Sequence, residues 1–150
     1  MPGTFTQLLL HVIFSTKHRS PWITPDLSER VYPYIGGIIR SEGGSLFEIG
    51  GAPDHVHLYL RCKPDRAVSD LMRVVKAKSS KWIHETFVEL DAFAWQEGYT
   101  ALSVSRSQED VVRTYIRNQE SHHARRGFEG ELRALLEAHG VEFDQRYLVD

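Results

Sequence analysis

Asp54-His55-Val56-His57-Leu58-Tyr59-Leu60-Arg61-Cys62 is the stretch on which the reading of this chain turns. Side chains alternate across a strand, so His55, His57, Tyr59 and Arg61 share one face. Val56, Leu58, Leu60 and Cys62 share the other. An apolar face backing a face with two imidazoles is the pattern of a half-buried strand that carries a metal site. With eight His in 150 residues, a His-x-His pair arises by chance about 0.4 times per chain. The pair therefore needs support from elsewhere, because two histidines on a solvated strand face would read the same way.

Working outward, Ser45 to Gly50 reads as a short strand, and Gly51-Ala52-Pro53 turns it into the histidine strand as a hairpin. Phe5 to Thr16 is apolar on both faces, as expected of a central strand. Between them, Thr24-Pro25-Asp26 opens a helix with Thr as cap and Pro in the first turn. Leu27, Val31, Tyr34, Ile35, Ile38 and Ile39 recur at helical spacing until Gly43-Gly44 stops it. A second helix spans about Val68 to Phe87, with Val68, Leu71, Met72, Val75, Trp82, Ile83 and Phe87 as its buried stripe. Trp95 to Val104 holds a fourth strand. Ser107 caps a third helix that runs to about His122, Arg125-Arg126-Gly127 breaks it, and a further helix spans about Glu129 to His139. His122-His123 reads as a helix end favoured by the dipole rather than as a second metal site.

The order β-α-β-β-α-β predicts an α+β fold of the ferredoxin-like or RRM-like type. This is a four-stranded antiparallel sheet with helices on one face, followed by C-terminal helices. The first and third strands would be central. His11 would then project near His55 and His57, although a strand histidine of this kind is more often packed or solvated, and it is given no role. Residues 1–150 are expected to form one domain, with a core at about 5–122 and a C-terminal extension at about 123–150.

Composition narrows the function. The formal charge of −2 argues against a protein that coats nucleic acid by bulk charge. Charge is nonetheless uneven. Arg61 to Lys81 holds seven basic residues against Asp65 and Asp70, and Glu129 to Asp150 holds six acidic residues against two arginines. A locally basic helix can bind phosphates without broad stickiness. Cys62 is the sole cysteine, so no internal disulfide forms and a reducing cytosol is expected. No apolar run reaches the ~20 residues of a membrane span, and Met1 to Gln7 does not read as a secretory leader.

The third helix supports the histidine pair. Val111, Tyr115 and Gln119 lie along one face. From the helix alone, Tyr115 reads as core and Gln119 as solvated. Beside a histidine strand, a Tyr and a Gln one turn apart can serve one site as nucleophile and metal ligand. Several ordered blocks then converge: His11-Val-Ile-Phe-Ser-Thr-Lys-His18, Gly51-Ala-Pro-Asp-His-Val-His-Leu58, Leu71 to Ser80, Phe93-Ala-Trp-Gln-Glu-Gly-Tyr99 and Val112-Arg-Thr-Tyr-Ile-Arg-Asn-Gln119. Together they resemble the IS200/IS605-type transposases, the single-tyrosine members of the HUH endonuclease group.

The resemblance implies that His55, His57 and Gln119 hold a divalent metal, Mg²⁺ or Mn²⁺, and that Tyr115 is the nucleophile. It implies single-stranded DNA with hairpin ends as substrate, a 5′-phosphotyrosine intermediate, and a homodimer in which one chain's tyrosine helix completes the other's histidine site. The protein would then be nucleoid-associated in the cytoplasm. Lys76, Lys78 and Lys81, with Arg73 behind them, are the expected DNA contacts on the basic helix. Trp95 and Tyr99 could stack on bases, but a core or interface role is the preferred reading. Two alternatives stand beside this one. A non-cleaving single-stranded nucleic-acid-binding protein on the same sheet needs exposed aromatics, and Tyr59 is the clear one on the histidine strand. A small-molecule metallohydrolase lacks an evident carboxylate base, since Asp54 points away from the imidazoles if the strand is regular.

Overall fold

A computed structural model describes residues 3–148, and of residues 120–126 only the backbone path; the side chains of His122-His123 and Arg125-Arg126 lie outside the described residues. Strands β1 (Leu8–Ser15), β2 (Ser45–Ala52), β3 (His55–Cys62) and β4 (Thr100–Ser103) form one antiparallel sheet in the order β2-β3-β1-β4. The first and third strands are central, as the element order predicts. Helix α1 (Pro25–Ser41) links β1 to β2, and α2 (Val68–Thr86) links β3 to β4. Helices α3 (Glu109–Arg117) and α4 (Gln119–Ala138) follow the sheet. No described helix is long and apolar enough to cross a membrane.

Alternation gives the sheet two distinct faces. Val12 and Phe14 of β1 and Val56, Leu58 and Leu60 of β3 pack with Val31, Ile35 and Ile39 of α1 and Leu71, Met72, Val75 and Ile83 of α2. Burying each such side chain contributes about 1.5–3 kcal/mol. The opposite face carries Leu9, His11, Ile13, His55, His57 and Tyr59, and all of these are buried too. Helix α3 covers one part through Ile116, which packs on Leu9 and Tyr59. The second half of α4 covers another, with Phe128, Leu132 and Leu136 on Ile13 and Leu102. The C-terminal helices thus complete a second core on the histidine face, which the alternation alone would leave half-solvated.

Helix α3 is seated tightly on β2. A Cβ at Gly50 would lie 2.5 Å from the Ile116 carbonyl oxygen, so the helix backbone rests where only glycine leaves room. Beside this contact, Glu48 accepts from Arg113 at 3.1 Å and from Arg117 at 3.0 Å.

Three boundaries differ from expectation for local reasons. The strand expected from Trp95 is broken: Trp95 bridges Thr16, residues 96–98 bulge away, and pairing resumes at Thr100. That bulge is held by Lys76, whose ammonium donates to the carbonyls of Gln96 at 2.9 Å, Glu97 at 3.2 Å and Gly98. Trp95 itself lies in the core, edge-on to Phe14 and Phe93, and its indole donates to Ser79 Oγ at 2.9 Å. The third helix starts at Glu109, because Ser105 rather than Ser107 caps a preceding 3-10 turn. It ends at Arg117, and the chain bends at Asn118 before α4. Gly127, at φ 71°, interrupts α4 where a break is expected.

Candidate active site

The register of β1 and β3 sets Ile13 opposite His57 and Ser15 opposite His55. His55, His57 and His11 therefore stand on the face that α3 and α4 cover. Both imidazoles of β3 are fully buried, and each has its Nδ1 engaged. His55 Nδ1 lies 2.7 Å from Asp54 Oδ1, and His57 Nδ1 lies 2.7 Å from His11 Nε2. Asp54 sits in the hairpin turn rather than in the regular strand. Its carboxylate consequently reaches the imidazole side, contrary to the expectation drawn from strict alternation.

With both Nδ1 atoms fixed, the two Nε2 atoms aim at one point. Gln119 Oε1 lies 2.9 Å from His55 Nε2. Glu131 Oε1 lies 2.8 Å from His57 Nε2 and 3.3 Å from His55 Nε2. Gln119 and Glu131 are both buried. The bend at Asn118 sets Gln119 on the first residue of α4, and it still faces the histidines as the four-residue spacing predicts. Glu131 is absent from the sequence-based assignment. Its only local signal is its place on a helix whose neighbours Phe128 and Leu132 are apolar, which marks it as facing the core.

The electrostatics of the metal-free cluster are internally consistent. Burial disfavours a charged His55, but its hydrogen bonds to Asp54, Glu131 and Gln119 outweigh that and raise it to about 9. It is an imidazolium that donates from both nitrogens. Burial likewise disfavours a charged Glu131, and its bonds to His55 and His57 reverse this, holding it well below the usual carboxylate range. Burial and the neighbouring His57 lower His11 to about 3, so it is neutral. His57 Nε2 lies 2.8 Å from Glu131 Oε1, and His57 Nδ1 and His11 Nε2 share one hydrogen bond.

The donor set suits a divalent cation. Ligand atoms of His55, His57 and Glu131 lie within 4.8 Å of one another. Adjacent ligands on an ion with bonds of about 2.1 Å are about 3 Å apart, which matches these separations. The buried Glu131 Oε2, an acceptor able to ligate a cation, has no hydrogen-bond partner among the described residues. A free acceptor next to buried imidazoles is what a site shaped for an ion leaves behind. Asp54 and His11 would supply the outer hydrogen bonds that orient metal-bound histidines.

Tyr115 borders this cluster. Its ring centroid is 5.8 Å from that of His57 and 6.1 Å from that of His11, edge-on to both. One chain alone thus brings Tyr115, His55, His57 and Gln119 together. The basic helix is elsewhere: Arg73, Lys78 and Lys81 are exposed on α2, across the sheet from the imidazoles. Arg73 is 3.6 Å from Asp70 and Lys81 is 3.9 Å from Glu85. Lys76 is half-buried, and its burial lowers it to about 8. Tyr59, considered as an exposed stacking platform, is fully buried beneath α3.

Comparison with known proteins identifies the family. The family profile described as "Transposase IS200 like" matches residues 4–119. The ISDra2 transposase TnpA of Deinococcus radiodurans is 25% identical over 122 residues, covering 78% of this chain and 87% of the relative. The IS200 transposase of Salmonella typhimurium is 25% identical over 114 residues, covering 73% and 74%. A crystal structure from Deinococcus radiodurans R1, described as a candidate transposase, superposes with a TM-score of 0.67 at 25% identity, covering 79% of this chain and 95% of that one. A REP-associated tyrosine transposase bound to a REP hairpin shares the fold, with a TM-score of 0.61 at 12% identity over 82% and 73% of the two chains. With the profile spanning most of its length, the chain belongs to the IS200-like transposase family.

Proposed function

We propose that this transposase cleaves and rejoins single-stranded DNA through Tyr115, with His55, His57, Gln119 and Glu131 holding a divalent metal, Mg²⁺ or Mn²⁺. The observation that carries the proposal is the convergence of two oriented imidazoles, an amide oxygen and a carboxylate beside one tyrosine. A bound cation would screen the phosphodiester's charge and polarise it toward attack. The phenolic oxygen of Tyr115 bonds to phosphorus, the bond from phosphorus to the 3′ oxygen breaks, and that oxygen leaves as a hydroxyl after taking up a proton. The phosphotyrosine conserves the bond's energy, so a second 3′-hydroxyl can reseal the strand without ATP. Phenols are weak nucleophiles at neutral pH (pKa ~10), and a cationic neighbour favours the phenolate.

DNA contact through Arg73, Lys78 and Lys81 belongs to the same proposal. Their position on α2 favours docking of the hairpin on the outer helix layer, with the single strand continuing round the sheet to the opposite face. Lys76 is engaged by three carbonyls and contributes there through the 96–98 bulge it holds. A homodimer with shared sites, in a cytoplasmic nucleoid setting, completes the reading. Sharing requires α3 to leave its own sheet, and the Glu48 pairs with Arg113 and Arg117 oppose this. Mixing Tyr115→Phe with His57→Ala protein tests the point, since activity returns only if sites are shared.

The primary experiment incubates the protein and Mn²⁺ with a hairpin oligonucleotide carrying a randomised single-stranded flank. A covalent protein–DNA adduct is expected, and none with Tyr115→Phe. Adduct retained by that variant would remove Tyr115 as nucleophile. Binding without adduct by the unaltered protein would identify a non-cleaving nucleic-acid-binding protein.

A further inference from the structure

A cavity of about 270 Å³ lies between α3, the second half of α4 and the β4 edge. Its inner end is the ring of Tyr115 with His11, its walls are Val112 and Leu135, and Gln108 and the exposed Val111 stand among its remaining lining residues. It is smaller than pockets for drug-sized molecules, which start at about 300 Å³. It has room for one flat ring system.

The lining chemistry narrows the occupant. Among the described residues the lining holds no Lys, Arg, Asp or Glu, and its polar groups besides Tyr115 are His11, His139, Ser103, Ser105 and Gln108. Apolar walls, the rings of Tyr115 and two histidines, and an amide with two serines at the rim suit a heteroaromatic ring, which stacks through its faces and hydrogen-bonds through its rim. Tyr115 is also the group that meets the phosphodiester in the function proposed above, on which this step rests. A phosphate at Tyr115 places its flanking base within one sugar's reach of the cavity. We infer that this cavity receives one unstacked nucleobase next to the scissile phosphate and so contributes to the choice of cleavage site.

The test uses full-length protein, Mn²⁺ and the randomised-flank hairpin, with sequencing of the attached strands to locate the cleaved bond. One nucleotide beside that bond is expected to show a base preference. Replacing it by an abasic residue should slow adduct formation about 5- to 100-fold. In Val111→Trp, which fills the mouth, the abasic substitution should matter less than twofold; Gln108→Ala, which leaves the walls intact, should change the preferred base. No abasic effect with the unaltered protein, or an equal effect in Val111→Trp, overturns the subsite while leaving Tyr115 as nucleophile. No adduct under any condition overturns the nucleophile reading, and the subsite with it.

Discussion

Gly50→Ala asks whether the seat of α3 sets the reactivity of Tyr115. The added Cβ would meet the Ile116 carbonyl oxygen at 2.5 Å and Ile116 Cγ2 at 3.1 Å. Carbon–oxygen contacts relax at about 3.3 Å, so the helix must lift by about 0.8 Å. The obstacle is backbone on both sides, and no rotamer change relieves it. Overpacking of this kind costs about 1–3 kcal/mol, which lowers the melting temperature of a domain this size by roughly 4–8 °C for the middle of that range. Tyr115 precedes Ile116, so its oxygen moves with the helix. A displacement approaching 1 Å at a reacting group costs about 100-fold in rate. The assay is single-turnover formation of the covalent adduct, with thermal unfolding and hairpin binding measured alongside. The expected result is a folded protein with unchanged hairpin affinity and an adduct rate reduced about 30- to 100-fold. A folded variant that forms adduct at the original rate would show that docking of α3 on its own sheet does not position the nucleophile.

Other predictions address the cluster and the helix layer. Glu131→Gln should weaken Mn²⁺ binding at least about 10- to 100-fold in calorimetry, and unchanged affinity would remove the carboxylate from the ligand set. Metal uptake at neutral pH should release about one proton, because His55 sits at about 9 when metal-free and must become neutral to coordinate; calorimetry in buffers of different ionisation enthalpy reads this directly. In the metal-free protein, the His55 value is raised above its free 6.5. Its stabilising contribution is therefore full below pH 6.5 and fades as pH rises through about 9, and a melting temperature constant across that window would contradict the imidazolium. Lys76→Met strips the donor from three carbonyls and should destabilise by about 1–3 kcal/mol. Lys78→Ala and Lys81→Ala should leave stability unchanged and each lower the salt slope of DNA binding by about one.

Much of this molecule is written in local sequence. Alternation from His55 to Cys62 and the glycine stops at Gly43 and Gly127 are short-range signals, and they are enough to order the elements. The four-residue spacing of Tyr115 and Gln119 survives the bend at Asn118 because both residues are tied to one buried surface. The residues that escape local reading act over long separations. Glu131 is 74 positions from the imidazole it touches, and nothing near it in the chain distinguishes it from a solvated glutamate except its apolar neighbours. Asp54 would face away from the imidazoles in a regular strand, but the hairpin turn suspends the alternation and lets its carboxylate reach His55. Lys76 looks like a phosphate ligand by composition, yet the bulge in the connection from α2 to β4, 20 to 22 positions along the chain, captures its ammonium. In each case partner geometry, not residue type, decides the role.

Glu131 also lies beyond residue 119, where the match to the family profile stops. The sheet, the histidines and the tyrosine all precede it, but Ile13 and Leu102 remain bare until Phe128, Leu132, Leu136 and Leu148 arrive to cover them. In chain order the two imidazoles of β3 therefore come well before the carboxylate that they contact. A polypeptide halted near residue 122 would lack the apolar side chains that cover Ile13 and Leu102, and would present that part of the sheet to solvent.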